Sequence, residues 1–263
     1  MAIDSPEGGL PSGSISMAAG VPRISLRGIR KTFGSIEALR GVDLDVYPGE
    51  CVGLIGDNAA GKSTLTKIIS GTYLPDTGTI EVDSEKVSFS NPSDARARNI
   101  EMVFQDLSLC DHIDVMGNLF LGREVSRWSF LDHRTMRKQA RDMLDDLGIR
   151  IPRLNAKVEQ LSGGQRQAIA IARAASFEPR VLILDEPTSA LAVAEVEAVL
   201  RLVNEVKSRG VAVILVTHRL QDLFEVCDRI AVMYEGTKVA ERGIGDTSLE
   251  DLVKLIVGRG GAT

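Results

Sequence analysis

The chain has 263 residues, 44% of them apolar and 25% charged, with a formal net charge of -5; this suits a globular protein with its own core. No Lys/Arg block is long enough to form a polyanion-binding arm, so the charge pattern argues against nucleic acid as a partner. Cys51, Cys110 and Cys227 are odd in number and isolated in sequence, suggesting reduced intracellular thiols and neither a disulfide framework nor a zinc knuckle.

Residues 1–20 are rich in Gly, Ser, Pro and Ala but lack the basic start and apolar core of a signal peptide. We read 1–22 as a flexible extension, 23–258 as one domain and 259–263 as a tail. The longest apolar runs, such as 211–217 and 181–184, fall far short of the roughly 20 residues a membrane-spanning helix needs. Short β-rich runs at 24–26, 42–47 and 51–55 predict strands, with Pro48-Gly49 turning between the last two. A helix is expected over 61–69, stopped by Gly71, then strands at 79–82, 86–89 and 101–103. Residues 106–159 instead place Leu, Met, Arg and Asp at helical spacing, most clearly over 134–147 before Gly148, and predict a helical insertion. Beyond Gly163 come a helix to Ala175, a strand 181–184, a helix 193–207, a strand 211–216 and a helix 220–226. A hairpin about Glu235-Gly236 and a terminal helix 249–257 follow. Strands alternating with helices imply a parallel sheet covered on both faces.

Gly56-Asp57-Asn58-Ala59-Ala60-Gly61-Lys62-Ser63 matches GxxxxGK[ST] between a buried-looking strand and a helix. In that setting glycines let backbone N–H groups wrap phosphates, and the helix N-terminus adds positive potential. Lys62 neutralises the terminal phosphates, Ser63 offers a hydroxyl to Mg2+, and Thr64 supplies one more donor. The competing reading is a strand-to-helix turn that needs glycine for geometry alone. Leu161-Ser162-Gly163-Gly164-Gln165 precedes a second helix, with Ser162 at its N-cap and paired glycines leaving backbone donors uncovered. By itself this turn could equally be a simple cap. Downstream, the apolar strand 181–184 ends in Asp185-Glu186, which places two carboxylates at the ligand-binding edge of a parallel sheet.

On these residues the chain resembles the nucleotide-binding subunits of ABC transporters, over nearly everything after Arg23. The resemblance implies an α/β fold: a P-loop NTPase domain of the ABC type, with a mixed sheet core, an antiparallel β subdomain and a helical insertion at about 106–160. It also implies roles. Phe33 matches the aromatic that stacks on adenine, Gly56 to Thr64 the Walker A loop, and Gln105 the Q-loop glutamine that touches metal and water. Ser162, Gly163, Gly164 and Gln165 match the signature that meets the ATP of a second subunit in a head-to-tail dimer. Asp185 would hold Mg2+ with Ser63 and Gln105, Glu186 would polarise the attacking water, and His218 would steady that water and the γ-phosphate. His112 and His133 have no motif around them and read as surface residues. ATP and Mg2+ are thus the implied ligands, and polytopic permease subunits the implied partners, at the cytoplasmic face of the inner membrane.

Two positions depart from the family pattern. Ala59 stands where glycine is usual, at about 1 to 2 kcal/mol if its backbone is left-handed. Ala192 replaces the aspartate that usually completes the D-loop, removing a contact between the two half-sites. Four stretches (56–58, 104–109, 118–124 and 158–161) resemble ATPases of ribose- and fructose-type monosaccharide importers, whose sugar is chosen by the permease and an extracytoplasmic binding protein. Import of another small solute is the alternative. A soluble ABC ATPase of DNA repair or translation would be expected to show a coiled-coil insert or tandem domain, and a P-loop kinase has no use for 161–165. Finally, the apolar residues Leu107, Leu109, Ile113, Val115, Leu119 and Phe120 form either a groove for a permease helix or the insertion's own core.

Overall fold

The computed structural model describes residues 20–257; the tail 259–263 and all but the last three residues of the extension 1–22 lie outside them. Ile24–Phe33 (β1) and Ile36–Val46 (β2) form a long hairpin, followed by Cys51–Gly56 (β3) and Lys62–Ile69 (α1). Thr77–Val82 (β4), Glu85–Val87 (β5), Pro92–Ala97 (α2) and Ile100–Val103 (β6) come next. The middle holds Val115–Phe120 (α3), the small hairpin Ser126–Arg127 (β7) and Phe130–Leu131 (β8), and His133–Asp146 (α4). Gly163–Ala175 (α5), Val181–Asp185 (β9), Val193–Ser208 (α6), Ala212–Val216 (β10) and Leu220–Val226 (α7) alternate after it. Arg229–Tyr234 (β11), Thr237–Gly243 (β12) and Leu249–Val257 (α8) close the described chain.

The central sheet runs β12-β11-β3-β10-β9-β6, parallel except for the antiparallel edge strand β12. Every residue of β10 is buried, as are the first four of β9 and the first five of β3; such continuous Val/Ile/Leu runs belong to strands covered on both faces. On one face Leu54, Ile183 and Ile214 pack with α1 and the antiparallel sheet β2-β1-β4-β5; on the other, Leu184, Val213 and Leu215 pack with α5, α6 and α7. Truncating a fully buried side chain such as Leu184 to Ala costs about 2 to 5 kcal/mol in such a core. The carboxyl ends of β3, β9 and β10 therefore meet along one edge, where the candidate site lies.

Three features differ from the sequence expectation. The first hairpin is far longer than the runs 24–26 and 42–47, because register shifts around Ile29 and Lys31 break the alternation. Charged residues pair across its strands instead, as in Arg27–Asp45 (2.8 Å) and Arg30–Glu37 (3.1 Å). The short α2 lies outside the predicted elements; it is set by Asn91, whose side chain accepts from the N–H groups of Ser93 and Asp94, with Pro92 opening the helix. The helical insertion carries the β7-β8 hairpin within it and shares a core with α5: Val115, Leu119, Phe120, Met136 and Leu144 pack on Ile169 and Ala172. Val115, Leu119 and Phe120 are thus core residues, Leu107 and Leu109 are half-buried against the neighbouring clusters, and Ile113 is exposed. Cys51 and Cys227, isolated in sequence, meet in the core with their sulfurs 3.6 Å apart.

Candidate nucleotide site

The loop between β3 and α1 has the shape its sequence demands. Gly61 caps α1 with φ 96° and offers no side-chain cap. A Cβ there would lie 2.7 Å from the Ala38 carbonyl oxygen and 2.8 Å from Leu39 Cδ2, so only glycine closes the loop. The first N–H groups of α1 consequently face the cleft without a side-chain acceptor. Ala59 is left-handed, φ 67°. The loop is anchored from behind by Gly236 N–H to the Ala60 carbonyl (3.1 Å) and Arg40 N–H to the Gly236 carbonyl (2.8 Å). Lys62 Nζ donates to the carbonyls of Gly56 and Asp57, 2.9 Å each, which stretches the ammonium across the loop. Burial lowers its pKa, an effect opposed by the charges of Glu186, Asp57 and Asp185.

Across the cleft, β9 ends in Asp185, whose carboxyl is held above its ordinary range by burial first and by the Glu186 carboxylate second. Glu186 is itself left-handed, φ 54°, with its N–H bonded to the Val216 carbonyl at the end of β10 (2.8 Å). Its Oε2 lies 2.5 Å from His218 Nδ1. The histidine turn is braced from below: Thr217 Oγ1 accepts the Arg219 N–H (3.0 Å), Arg219 Nε donates to Asp222 (3.3 Å), and Thr188 Oγ1 donates to the other oxygen of the buried Asp222. Gln105 follows β6 on a turn with Leu107 and Ser108 both at positive φ, 61° and 46°. The Arg173 guanidinium of α5 donates to both carbonyls of that turn, 3.0 and 2.9 Å.

These segments enclose a cavity of about 730 Å³ lined by Asn58, Ala59, Ala60, Gly61, Lys62, Ser63, Thr64, Gln105, Asp185, Glu186 and His218. Gly56 and Asp57 shape the loop from outside the lining. Ile36, Ala38, Arg40 and Glu235 also line the cavity; sequence reasoning missed them because they are ordinary strand and turn positions, brought in by the first hairpin and the β11-β12 turn. Phe33 lies outside the lining, 41% exposed, with its ring edge-on to Tyr73 at 5.2 Å. Ser162, Gly164 and Gln165 line a different cavity, with Glu195 and Leu202. Ser162 is the N-cap of α5 in a reciprocal capping box with Gln165.

A glycine-rich turn on a helix N-terminus, faced by two carboxylates at the strand edge, defines a nucleoside-triphosphate-binding P-loop domain. Residues 39–189 match the ABC transporter family model. The chain is 43% identical over 233 residues to the xylose/arabinose import ATP-binding protein XylG of Sulfolobus acidocaldarius, covering 89% of this chain and 93% of that one. It is 42% identical over 245 residues to the fructose import ATP-binding protein FrcA of Rhizobium meliloti, covering 90% and 94%. A ribose import ATP-binding protein of Burkholderia cenocepacia is 43% identical over 237 residues, and there the chain spans about half the relative's length, 47%. Among solved structures, a nucleotide-free ATP-binding cassette from an ABC transporter superposes with TM-score 0.76 at 26% identity, covering 90% of this chain and 95% of that one. A dimeric post-hydrolysis cassette bound to ADP and Pi gives 0.71 at 28%, covering 84% and 98%. The chain belongs to the ABC transporter family, as an ATP-binding subunit. No helix among the described residues is long and apolar enough to cross a membrane.

Proposed function

We propose that this chain hydrolyses ATP to energise an importer of a small solute, a monosaccharide in the first instance. The observation that carries the reading is the split between two anion-binding loops. Lys62, Ser63, Asp185, Glu186 and His218 share one cleft, while Ser162, Gly164 and Gln165 line another cavity. Two such half-sites suit a head-to-tail dimer in which each ATP lies between the loop 56–64 of one copy and the signature of the other. The names of the sugar-import relatives support the monosaccharide assignment.

In this reading Lys62 and the N–H groups of α1 bind the β and γ phosphates. The Ser63 hydroxyl and the Asp185 carboxylate are hard oxygen donors suited to Mg2+, with Gln105 beside them in the cavity lining. The fit rests on Asp185 itself, since a half-buried carboxyl whose charged form is disfavoured first by burial and then by the Glu186 carboxylate is relieved by a cation. No group of three or more His, Cys, Asp or Glu side chains gathers as a metal cage among the described residues, so the ion would be shared with the phosphates. Bound there, Mg2+ would neutralise charge developing on the transferred phosphoryl group. Glu186 accepts the proton of the attacking water, and His218, whose Nδ1 lies 2.5 Å from Glu186 Oε2, orients that carboxylate and the γ-phosphate. Phe33 is the proposed adenine neighbour. Permease subunits at the cytoplasmic face of the inner membrane, served by an extracytoplasmic solute-binding protein, complete the assembly.

The test is to purify the chain with its membrane partners and follow both phosphate and solute. ATP-driven accumulation of labelled monosaccharide in vesicles, with release of inorganic phosphate, is the expected result. Phosphate transfer onto the sugar, or failure to co-purify with any polytopic protein, would overturn the assignment.

A further inference from the structure

Glu195 is the third residue of α6, and its carboxylate serves two helices. Oε2 accepts the Ala192 N–H at 3.2 Å and so caps α6 itself. Oε1 accepts the Gly164 N–H at 3.1 Å, across 31 positions of sequence, at the start of α5. Donors around it, the neighbouring Ser162 side chain first and then the Gly164 and Ala192 N–H groups, hold the Glu195 carboxyl below its ordinary range. The approach is close: a Cβ on Gly164 would lie 2.8 Å from both Cβ and Cγ of Glu195. The second glycine of the motif is what lets the acid reach the backbone.

Ser162 and Gly164 are also donors that, in the reading above, receive a terminal phosphate from the second copy. A carboxylate and a phosphate ask the same thing of a helix N-terminus, and one N–H satisfies one of them at full strength. We propose that Glu195 is a built-in competitor for the signature loop, occupying its donors in the lone chain and turning away when the partner's nucleotide docks. This rests on the assignment of 162–165 as the partner-facing half-site. Ala192 raises the threshold further. It has no side-chain oxygen to cap α6, so when Glu195 leaves, that helix loses its side-chain cap as well. The alanine at the D-loop position and the acid three residues on thus form one device that delays closure until nucleotide is abundant.

The experiment uses the full chain carrying Glu186→Gln, so that ATP persists, and follows dimer formation against ATP concentration by analytical ultracentrifugation. Adding Glu195→Gln, which keeps the shape and removes the charge, should lower the ATP concentration for half-dimerisation about tenfold, the worth of one hydrogen bond to a charged group. Nucleotide affinity of the dilute single chain should not move. A midpoint that is unchanged or raised, with a parental melting temperature, overturns the proposal and leaves Glu195 as a cap alone. If Glu195→Gln melts several degrees early, Glu195→Asp decides. It keeps the charge and the α6 cap but withdraws from Gly164, so a lowered midpoint supports the competitor and an unchanged one overturns it. Should the Glu186→Gln parent form no ATP-dependent dimer, or Ser162→Arg fail to abolish it, the half-site assignment falls and the competitor with it. Failure of the Glu195 arms alone leaves the half-site standing.

Discussion

Arg173 offers a way to separate stability from coupling. It sits on α5, the helix that begins at the signature, and its guanidinium bonds the Leu107 and Ser108 carbonyls of the turn after Gln105. Arg173→Ala removes two hydrogen bonds from a charged donor, worth about 1.5 kcal/mol each at this half-buried position. The same change frees Leu107 and Ser108 from positive φ, which releases about 1 kcal/mol or more per residue if the turn relaxes. The two effects largely cancel, so global stability should fall by only about 1 kcal/mol, a melting shift of about 2 to 4 °C for a chain of this size. The turn that positions Gln105, however, no longer has its clamp. We expect kcat for ATP to drop about tenfold or more, with single-chain nucleotide affinity intact because the loop 56–64 is untouched. Arg173→Lys should behave like Arg173→Ala, since one ammonium cannot reproduce a planar fork reaching two carbonyls. Thermal melts and steady-state phosphate release check both halves. Full turnover in Arg173→Ala, or a melting loss above about 8 °C, would refute the clamp.

Glu186→Gln should keep ATP binding but slow turnover by about 10² to 10⁴ and accumulate an ATP-bound dimer in gel filtration; wild-type rates or a persistent monomer would contradict it. Lys62→Ala removes the charge beside the phosphates, and calorimetry should find ATP affinity reduced at least tenfold, whereas unchanged affinity would count against the loop. Ala59→Gly relieves a left-handed alanine worth about 1 to 2 kcal/mol and adds unfolded-state entropy worth about 0.4 to 1 kcal/mol. The first wins, so the melting temperature should rise by about 1 to 3 °C, and a fall would show that Ala59 is not strained.

The sequence alone carries whatever a few neighbouring residues can encode. Gly61-Lys62-Ser63 after an apolar strand specifies an uncapped helix N-terminus, Ser162 before the paired glycines specifies a helix N-cap, and the run ending at Asp185-Glu186 specifies a buried strand with acids at its tip. Each is a backbone conformation set within one turn of chain. The weaker predictions failed where local pattern is silent: bulges hid the length of β1 and β2, and a six-residue helix after Asn91 left too short a period to see. Tertiary packing alone decided what the motifs touch. It set Cys51 against Cys227, put Arg40 and Glu235 into the cleft lining, turned Phe33 toward Tyr73, and laid Arg173 over the Gln105 turn. It also laid Glu195 on Gly164, 31 residues away. Such contacts depend on how sheets and helices stack after the chain has closed loops of tens to hundreds of residues, and no spacing in the sequence records that distance.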